Sequence, residues 1–291
     1  MRKAGKRMRK RLIFRVDDLG YTEAYDLGAV RAFDEGIASS ADIMLDSPHT
    51  VEILRWVKER PWLSIGWHRH LWESPVLPPR EVPSLVDERG RFKWGHRHPE
   101  RMAEATYADA YKEFEAEANL CYYITGRYPD VAGVRDNGLP LEKAFRDILD
   151  RYHIVYNHFS TTPDHRHQAV CDEKYKPLRL FSANAFPPSY DLARFGEYHP
   201  LDLMTALCWT EEEETFFYGW HPGYCDDHIM AESACNLHRC KELEAAVSRE
   251  LRQWVIENKI ELVNQRDVLY GTSEFQDYLK DTGSPLWAGN F

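Results

Sequence analysis

Apolar positions along this chain fall into two alternating rhythms. Leu12, Ile13, Phe14 and Val16 make a short β-prone run, so a first strand is expected over 11–16. Leu27, Val30, Ala32 and Phe33 then recur at roughly helical spacing over 23–34, and Gly36 follows as a C-terminal glycine. A second strand is read at 41–45. Ser47-Pro48 offers an N-cap and a first-turn proline for a helix through Val51, Leu54, Trp56 and Val57. A third strand over 63–68 completes β-α-β-α-β, the order of a parallel sheet covered by helices.

From 71 to 99 the rhythm breaks, with Pro75, Pro78, Pro79, Pro83 and Pro99 marking a long ordered loop of the kind that forms lids and binding segments. Helices are expected over 100–124, ended by Gly126, over 141–152 and over 201–209. A single longest helix is expected over 233–257. Strands are expected at 130–134, 154–156, 178–181, 214–220 and 260–264, with a turn at 267–270. The count approaches seven or eight β/α units with no internal repeat. The fold class is therefore α/β, a single barrel-like domain rather than two. Residues 1–10 read as a basic disordered leader, 11–272 as the barrel and 273–291 as an irregular tail.

Composition narrows the function. The 291 residues are 43% hydrophobic and 29% charged, an ordinary globular balance. A formal charge of −10 argues against nucleic acid as partner, and no apolar run is long enough to span a membrane. The six cysteines show no metal-binding or disulfide spacing, which fits reduced thiols in a cytoplasmic protein. The 9 Trp, 16 Tyr and 13 Phe suit a cleft that stacks on sugar faces, although core packing accounts for most of them equally well. The chain is also compatible with a homodimer.

Chemistry-bearing residues sit where strands are expected to end. Asp17 and Asp18 close the first apolar run, His68 the third, and His221 the run over 214–220. Unpaired charge is costly inside an apolar strand and tolerated at its mouth. An Asp pair that merely caps a helix or pairs with Arg15 is the bland alternative for the first stretch. Asp18 and His68 form an O/N pair suited to a divalent cation. Asp17 could take a proton from water while staying off the metal, since strand neighbours point to opposite faces. His221 could protonate a leaving group. His-Arg-His occurs at 68–70, 96–98 and 165–167, but only His68 has a strand-end setting; His70 is a weaker candidate for the same rim.

These residues resemble a known family. Val16-Asp-Asp-Leu-Gly20 is similar to the N-terminal Asp-Asp-x-Gly signature of the YdjC/ChbG-like carbohydrate deacetylases. Ile65-Gly-Trp-His68 resembles the family's Gly-x-His, and Gly219-Trp-His-Pro-Gly-Tyr224 its late His-Pro-Gly-Tyr segment. Gly126-Arg-Tyr-Pro-Asp130, Arg239, Glu242 and Ile260-Glu-Leu-Val-Asn264 also fit, in the same order over most of the chain.

The resemblance implies a distorted barrel that removes an N-acetyl group from an amino sugar, often a short chitin-type oligosaccharide, with one divalent metal ion, Mg²⁺ or Zn²⁺. Carried across, Asp17 is the general base, His221 the acid, and Asp18 and His68 are metal ligands. The family's third ligand, a histidine, falls where this chain has Val134. Asp136 is the replacement ligand the sequence offers. Arg135 would oppose or replace a cation's charge, and with His70 is a substrate-binding candidate. A second reading, from a different class, is a catalytically impaired carbohydrate-binding protein with a degraded metal site.

Overall fold

The first strand, β1 (Lys10–Leu19), is the seam of the molecule. It pairs in parallel with β8 (Thr215–Trp220) from Arg11↔Thr215 to Val16↔Trp220. Its other edge is shared: β9 (Ile260–Leu262) pairs with Lys10–Leu12 and β2 (Ser40–Ile43) with Arg15–Leu19. From β2 the sheet continues through β3 (Ser64–Trp67), β4 (Val131–Val134), β5 (Val155–Phe159), β6 (Gln168–Val170) and β7 (Arg179–Ser182) to β8, so the sheet closes on β1. Among the described strands of this sheet, the β5–β6 and β6–β7 pairings are antiparallel and the rest parallel. The result is the distorted (β/α) barrel read from the sequence, with β6 as the strand the pattern did not reveal. This is a computed structural model. It describes residues 10–94, 98–134, 137–159, 168–170, 179–182, 187, 189–209 and 215–291.

Strand alternation sorts β1 into two faces. Leu12, Phe14 and Val16 belong to the main hydrophobic core under the helices, whereas Ile13 packs with Val155, Phe217 and Val263 in a small separate cluster inside the barrel. The interior face of β1 therefore reads Ile13, Arg15, Asp17. On β8 the same face reads Phe217, Gly219, then His221 just beyond the strand. This period of two lines up the polar groups above a small apolar plug.

The covering helices are α1 (Glu23–Asp34), α2 (Thr50–Lys58), α3 (Tyr107–Thr125), α4 (Pro140–Arg151), α5 (Pro200–Thr205), α6 (Asp227–Glu232), α7 (His238–Ala246), α8 (Arg249–Glu257), α9 (Gln265–Tyr270) and α10 (Glu274–Asp281). The bounds of α1 match the sequence reading, with Thr22 as N-cap accepting from the Tyr25 N–H. Gly36 is there for a different reason than expected. It is not left-handed; a Cβ would lie 2.6 Å from the Ala32 and Ala246 carbonyl oxygens. Gly126 does cap α3 with φ +80°.

Several expectations are corrected. The helix expected over 233–257 is broken, because the Ser248 hydroxyl accepts from the Leu251 N–H and starts α8 afresh. The helix expected from 100 begins as a 3₁₀ turn, Pro99–Glu104, before Thr106 caps α3. Ser47 does not cap α2; its own N–H donates to Thr50, and His49 takes the cap position. The tail expected to be irregular carries α10, whose Phe275 and Leu279 are buried. The basic leader lies outside the described residues, except Lys10, which already belongs to β1.

The Pro-rich segment after β3 is stapled to α3. Glu113 accepts from the Val76 and Leu77 N–H groups at 2.5 and 3.1 Å, and Asp109 accepts from the Ser84 N–H at 2.9 Å. Trp94 closes it from the other side, its indole donating to the Leu71 carbonyl at 2.8 Å.

Candidate metal centre and active site

Asp17 and Asp18 lie within the last residues of β1, not beyond it, and the strand is irregular there. The register with β2 shifts between Val16 and Leu19, and Asp18 has φ +62°. A left-handed residue costs about 1–2 kcal/mol. Here it breaks the alternation that would send Asp18 to the outer face. Both carboxylates therefore reach the same mouth, each with ligand atoms near His68.

They are kept apart by different cations. Arg15, two residues before Asp17 on the interior face, grips it with a fork: Nε to Oδ1 at 2.5 Å and Nη2 to Oδ2 at 2.9 Å. The bland pairing of Arg15 with the Asp pair thus exists, and it coexists with the site. Asp18 Oδ2 instead accepts from Arg239 Nη2 at 2.7 Å. Arg239 is buried on α7, steadied by the Tyr25 and Tyr21 rings at 4.9 and 5.6 Å.

His68 follows β3 and stands between two carboxylates. Its Nε2 lies 2.8 Å from Asp18 Oδ1 and its Nδ1 lies 3.0 Å from Asp42 Oδ2. Arg15 Nη1 reaches the same Asp42 oxygen at 3.1 Å. Gly66 makes room for this arrangement: a Cβ there would lie 2.2 Å from Asp42 Oδ1. Gly219 does the same for Asp17, whose Oδ2 would be 3.1 Å from an added Cβ.

His221 extends from β8 with Nε2 4.0 Å from Asp18 Oδ2 and Nδ1 3.6 Å from Glu242 Oε2. Glu242 is buried and also accepts from the His221 N–H at 2.5 Å and the Tyr198 hydroxyl at 2.8 Å. The Pro-Gly that follows His221 packs on α1, where a Cβ on Gly223 would overlap the Tyr25 ring. Tyr25 in turn donates its hydroxyl to the Asp17 carbonyl.

Charges tune one another here. Burial would raise the Asp18 carboxyl, but Arg239, His70, His221 and His68 together hold it well below the usual carboxylate range. Burial would lower His68, yet Asp42 and Asp18 raise it to about 10. Burial, followed by repulsion from His68, pushes His70 well below the usual histidine range. His221 is raised well above it despite burial, by Cys235, Asp18 and Glu242.

The donor chemistry fits a divalent cation. Asp18 Oδ1 is buried and is faced by two imidazole nitrogens, His68 Nε2 at 2.8 Å and His70 Nε2 at 3.4 Å. Asp18, His68 and His70 each present a ligand atom, all within 4.8 Å of one another. The carboxylates of Asp17, Asp18, Asp42 and Glu242 meet the guanidiniums of Arg15 and Arg239 and also the imidazoles of His68 and His221.

Sequence reasoning brought Asp17, Asp18, His68 and His221 to one mouth, and the structure does the same. It moves His70, expected at the substrate rim, in among the ligand atoms. Arg135 and Asp136 lie outside the described residues, as do His96 and the motif at 165–167. His98 is exposed and lies 3.2 Å from Glu100, away from the site. Asp42 was missed, although a single carboxylate inside Ala41–Leu45 is the same signal that drew attention to Asp17.

A family model described as YdjC-like protein matches residues 11–257, nearly the whole barrel. The chain belongs to this family. Among its curated relatives are carbohydrate deacetylases of Clostridium beijerinckii, 26% identical over 89% of this chain and 100% of that one, and of Enterococcus faecalis, 28% identical over 88% and 97%. A solved Enterococcus faecalis structure, described as a candidate cellobiose-phosphate cleavage protein, superposes with a TM-score of 0.65. It is 24% identical and covers 90% of this chain and 99% of its own, so it attests to the shared fold. No described helix is long and apolar enough to cross a membrane.

Proposed function

We propose that this YdjC-family chain is a carbohydrate deacetylase: it hydrolyses the amide of an N-acetylated amino sugar and releases acetate. The observation that carries the reading is the buried Asp18 carboxylate, faced by the imidazoles of His68 and His70 with ligand atoms all within 4.8 Å of one another. The curated relatives named carbohydrate deacetylases, matched over almost their full length, support the same chemistry.

Asp18 and His68 would hold one divalent cation, Zn²⁺ or Mg²⁺. When bound, the cation supplies Lewis-acid polarisation of the acetyl carbonyl and lowers the pKa of a nearby water. Asp17, held in orientation by the Arg15 fork, takes the proton from the attacking water. The water oxygen bonds to the acetyl carbon and the C–N bond breaks. His221 delivers a proton to the departing amine nitrogen, leaving free amino sugar and acetate. Glu242 fixes His221 by accepting its backbone N–H. The reading places the enzyme in the cytoplasm, supported by Cys121, Cys208, Cys225, Cys235 and Cys240, all free thiols.

The test is acetate release from short N-acetylated chitin oligosaccharides by metal-loaded protein. Release is expected from the wild type and lost in Asp18→Ala. Equal release from Asp18→Ala overturns the reading. The second reading, a sugar-binding protein without catalysis, draws on Val134, which is buried in the hydrophobic core where the family places a ligand. Sugar binding with neither bound metal nor acetate release would favour it.

A further inference from the structure

The family resemblance leaves the cation one ligand short. Val134, at the end of β4, is 1% exposed and packs with the main apolar core, so that position gives the site nothing. The deficit is made good elsewhere. His70 sits two residues past His68, so that on an extended segment both rings fall on one side. Its Nε2 is 3.4 Å from Asp18 Oδ1, and its ring centroid is 4.1 Å from that of His68.

Three features hold His70 there. Its ring stacks on Trp72 at 3.8 Å with 25° between planes. Leu71, the residue between them, is buried with φ +59°, a conformation that non-glycine residues adopt only when their surroundings impose it. The Trp94 indole fixes that turn by donating to the Leu71 carbonyl at 2.8 Å. The backbone strain thus lies next to the ring it aims, and a buried indole anchors it.

We propose that His70 is the third protein ligand, moved from the end of β4 to the loop after β3. The inference rests on the metal-dependent reading above and deepens it. Asp18, His68 and His70 form a two-histidine, one-carboxylate ligand set. Two imidazoles also favour Zn²⁺ over Mg²⁺, which prefers all-oxygen surroundings. Asp136 is then not needed as a replacement ligand.

The experiment is calorimetric titration of chelator-treated full-length protein with ZnCl₂, using the wild type, His70→Ala, His68→Ala and Asp136→Ala. The wild type is expected to bind one ion. Loss of more than about 100-fold in affinity is expected for His70→Ala and for His68→Ala, beyond the effect of removing an outer partner. Asp136→Ala should stay within about 3-fold of the wild type, well short of that outer-partner effect. His70→Ala binding like the wild type, or Asp136→Ala losing affinity as His68→Ala does, overturns the inference. X-ray absorption on the Zn²⁺-loaded wild type is independent of how any variant folds. Two imidazoles are expected, and a single one overturns the assignment. A wild type that binds Zn²⁺ and releases acetate without His70 as ligand leaves the deacetylase reading standing; one that binds no divalent ion at all overturns both.

Discussion

Asp42 Oδ2 lies 3.0 Å from His68 Nδ1, and this contact decides which imidazole nitrogen faces Asp18. With Nδ1 donating to Asp42, Nε2 is left to present its lone pair to a cation. Asp42→Asn keeps the shape of the side chain but weakens this orientation. A fall of about 10–100-fold in Zn²⁺ affinity is expected, measured by titration of the metal-free protein. Unchanged affinity would mean that His68 is oriented by something else.

Gly66 provides an independent handle on the same contact. An added methyl would sit 2.2 Å from Asp42 Oδ1, so Gly66→Ala must displace the carboxylate. Overpacking of this kind costs about 1–3 kcal/mol, readable from urea unfolding. Metal affinity should fall as well. Combined with Asp42→Asn, the two losses in affinity should be strongly non-additive. Simple additivity would show that the glycine serves another neighbour.

Arg239 is the buried counter-charge of Asp18. Removing one partner of a buried pair typically costs 3–5 kcal/mol because the remaining charge is left uncompensated. Arg239→Met should therefore lose on the order of 3 kcal/mol of unfolding free energy in metal-free protein. Saturating Zn²⁺ should restore part of it by supplying positive charge at the other carboxylate oxygen. A loss too small to detect would show that the guanidinium does little for Asp18.

Glu117 makes stability depend on pH in a direction that can be worked out. Burial, with Asp46 and Glu113 as neighbours, raises its carboxyl well above the usual range, and Glu113 is raised to about 7 for the same leading reason. A raised carboxyl contributes stability that is complete below its unfolded pKa and lost as pH rises through the folded value, at no more than about 1.4 kcal/mol per pH unit for one group. Glu117 Oε2 accepts from the Trp67 indole at 3.0 Å, while Oε1 is buried with no hydrogen bond among the described residues. Glu117→Gln retains the first contact and removes the titration. Its melting temperature should exceed the wild type's at pH 8, and the gain should disappear near pH 4.5. An equal gain at both values would exclude ionisation as the cause.

The legible parts of this molecule are those governed by local rules. The Leu12–Val16 run, the helical spacing from Leu27 to Phe33 and Gly126 are short-range signals, and β1, α1 and the end of α3 follow from them. The gathering of Asp17, Asp18, His68 and His221 was legible because polar groups closing apolar runs have few places to go. The place of His70 among the ligand atoms was not legible because it depends on the left-handed Leu71, a turn held by Trp94 from 23 residues away. Gly36 was read as a helix-ending glycine, although its role is close approach to Ala246, a contact made across 210 residues. The break at Ser248 was hidden for the opposite reason, since apolar spacing carries on across it and only the hydroxyl marks the restart.

The three-way pairing of β1 has a further consequence during synthesis. Asp18 emerges from the ribosome 221 residues ahead of Arg239, its counter-charge. At roughly 5–20 residues per second, that interval leaves the edge of the strand that β8 covers unpaired, and Asp18 without its buried partner, for ten seconds or more. Sequestration by a chaperone or transient pairing with β2 would protect it over this time. Substitutions in β8 or α7 should therefore lower the yield of folded protein more than their effect on the finished barrel's stability would suggest.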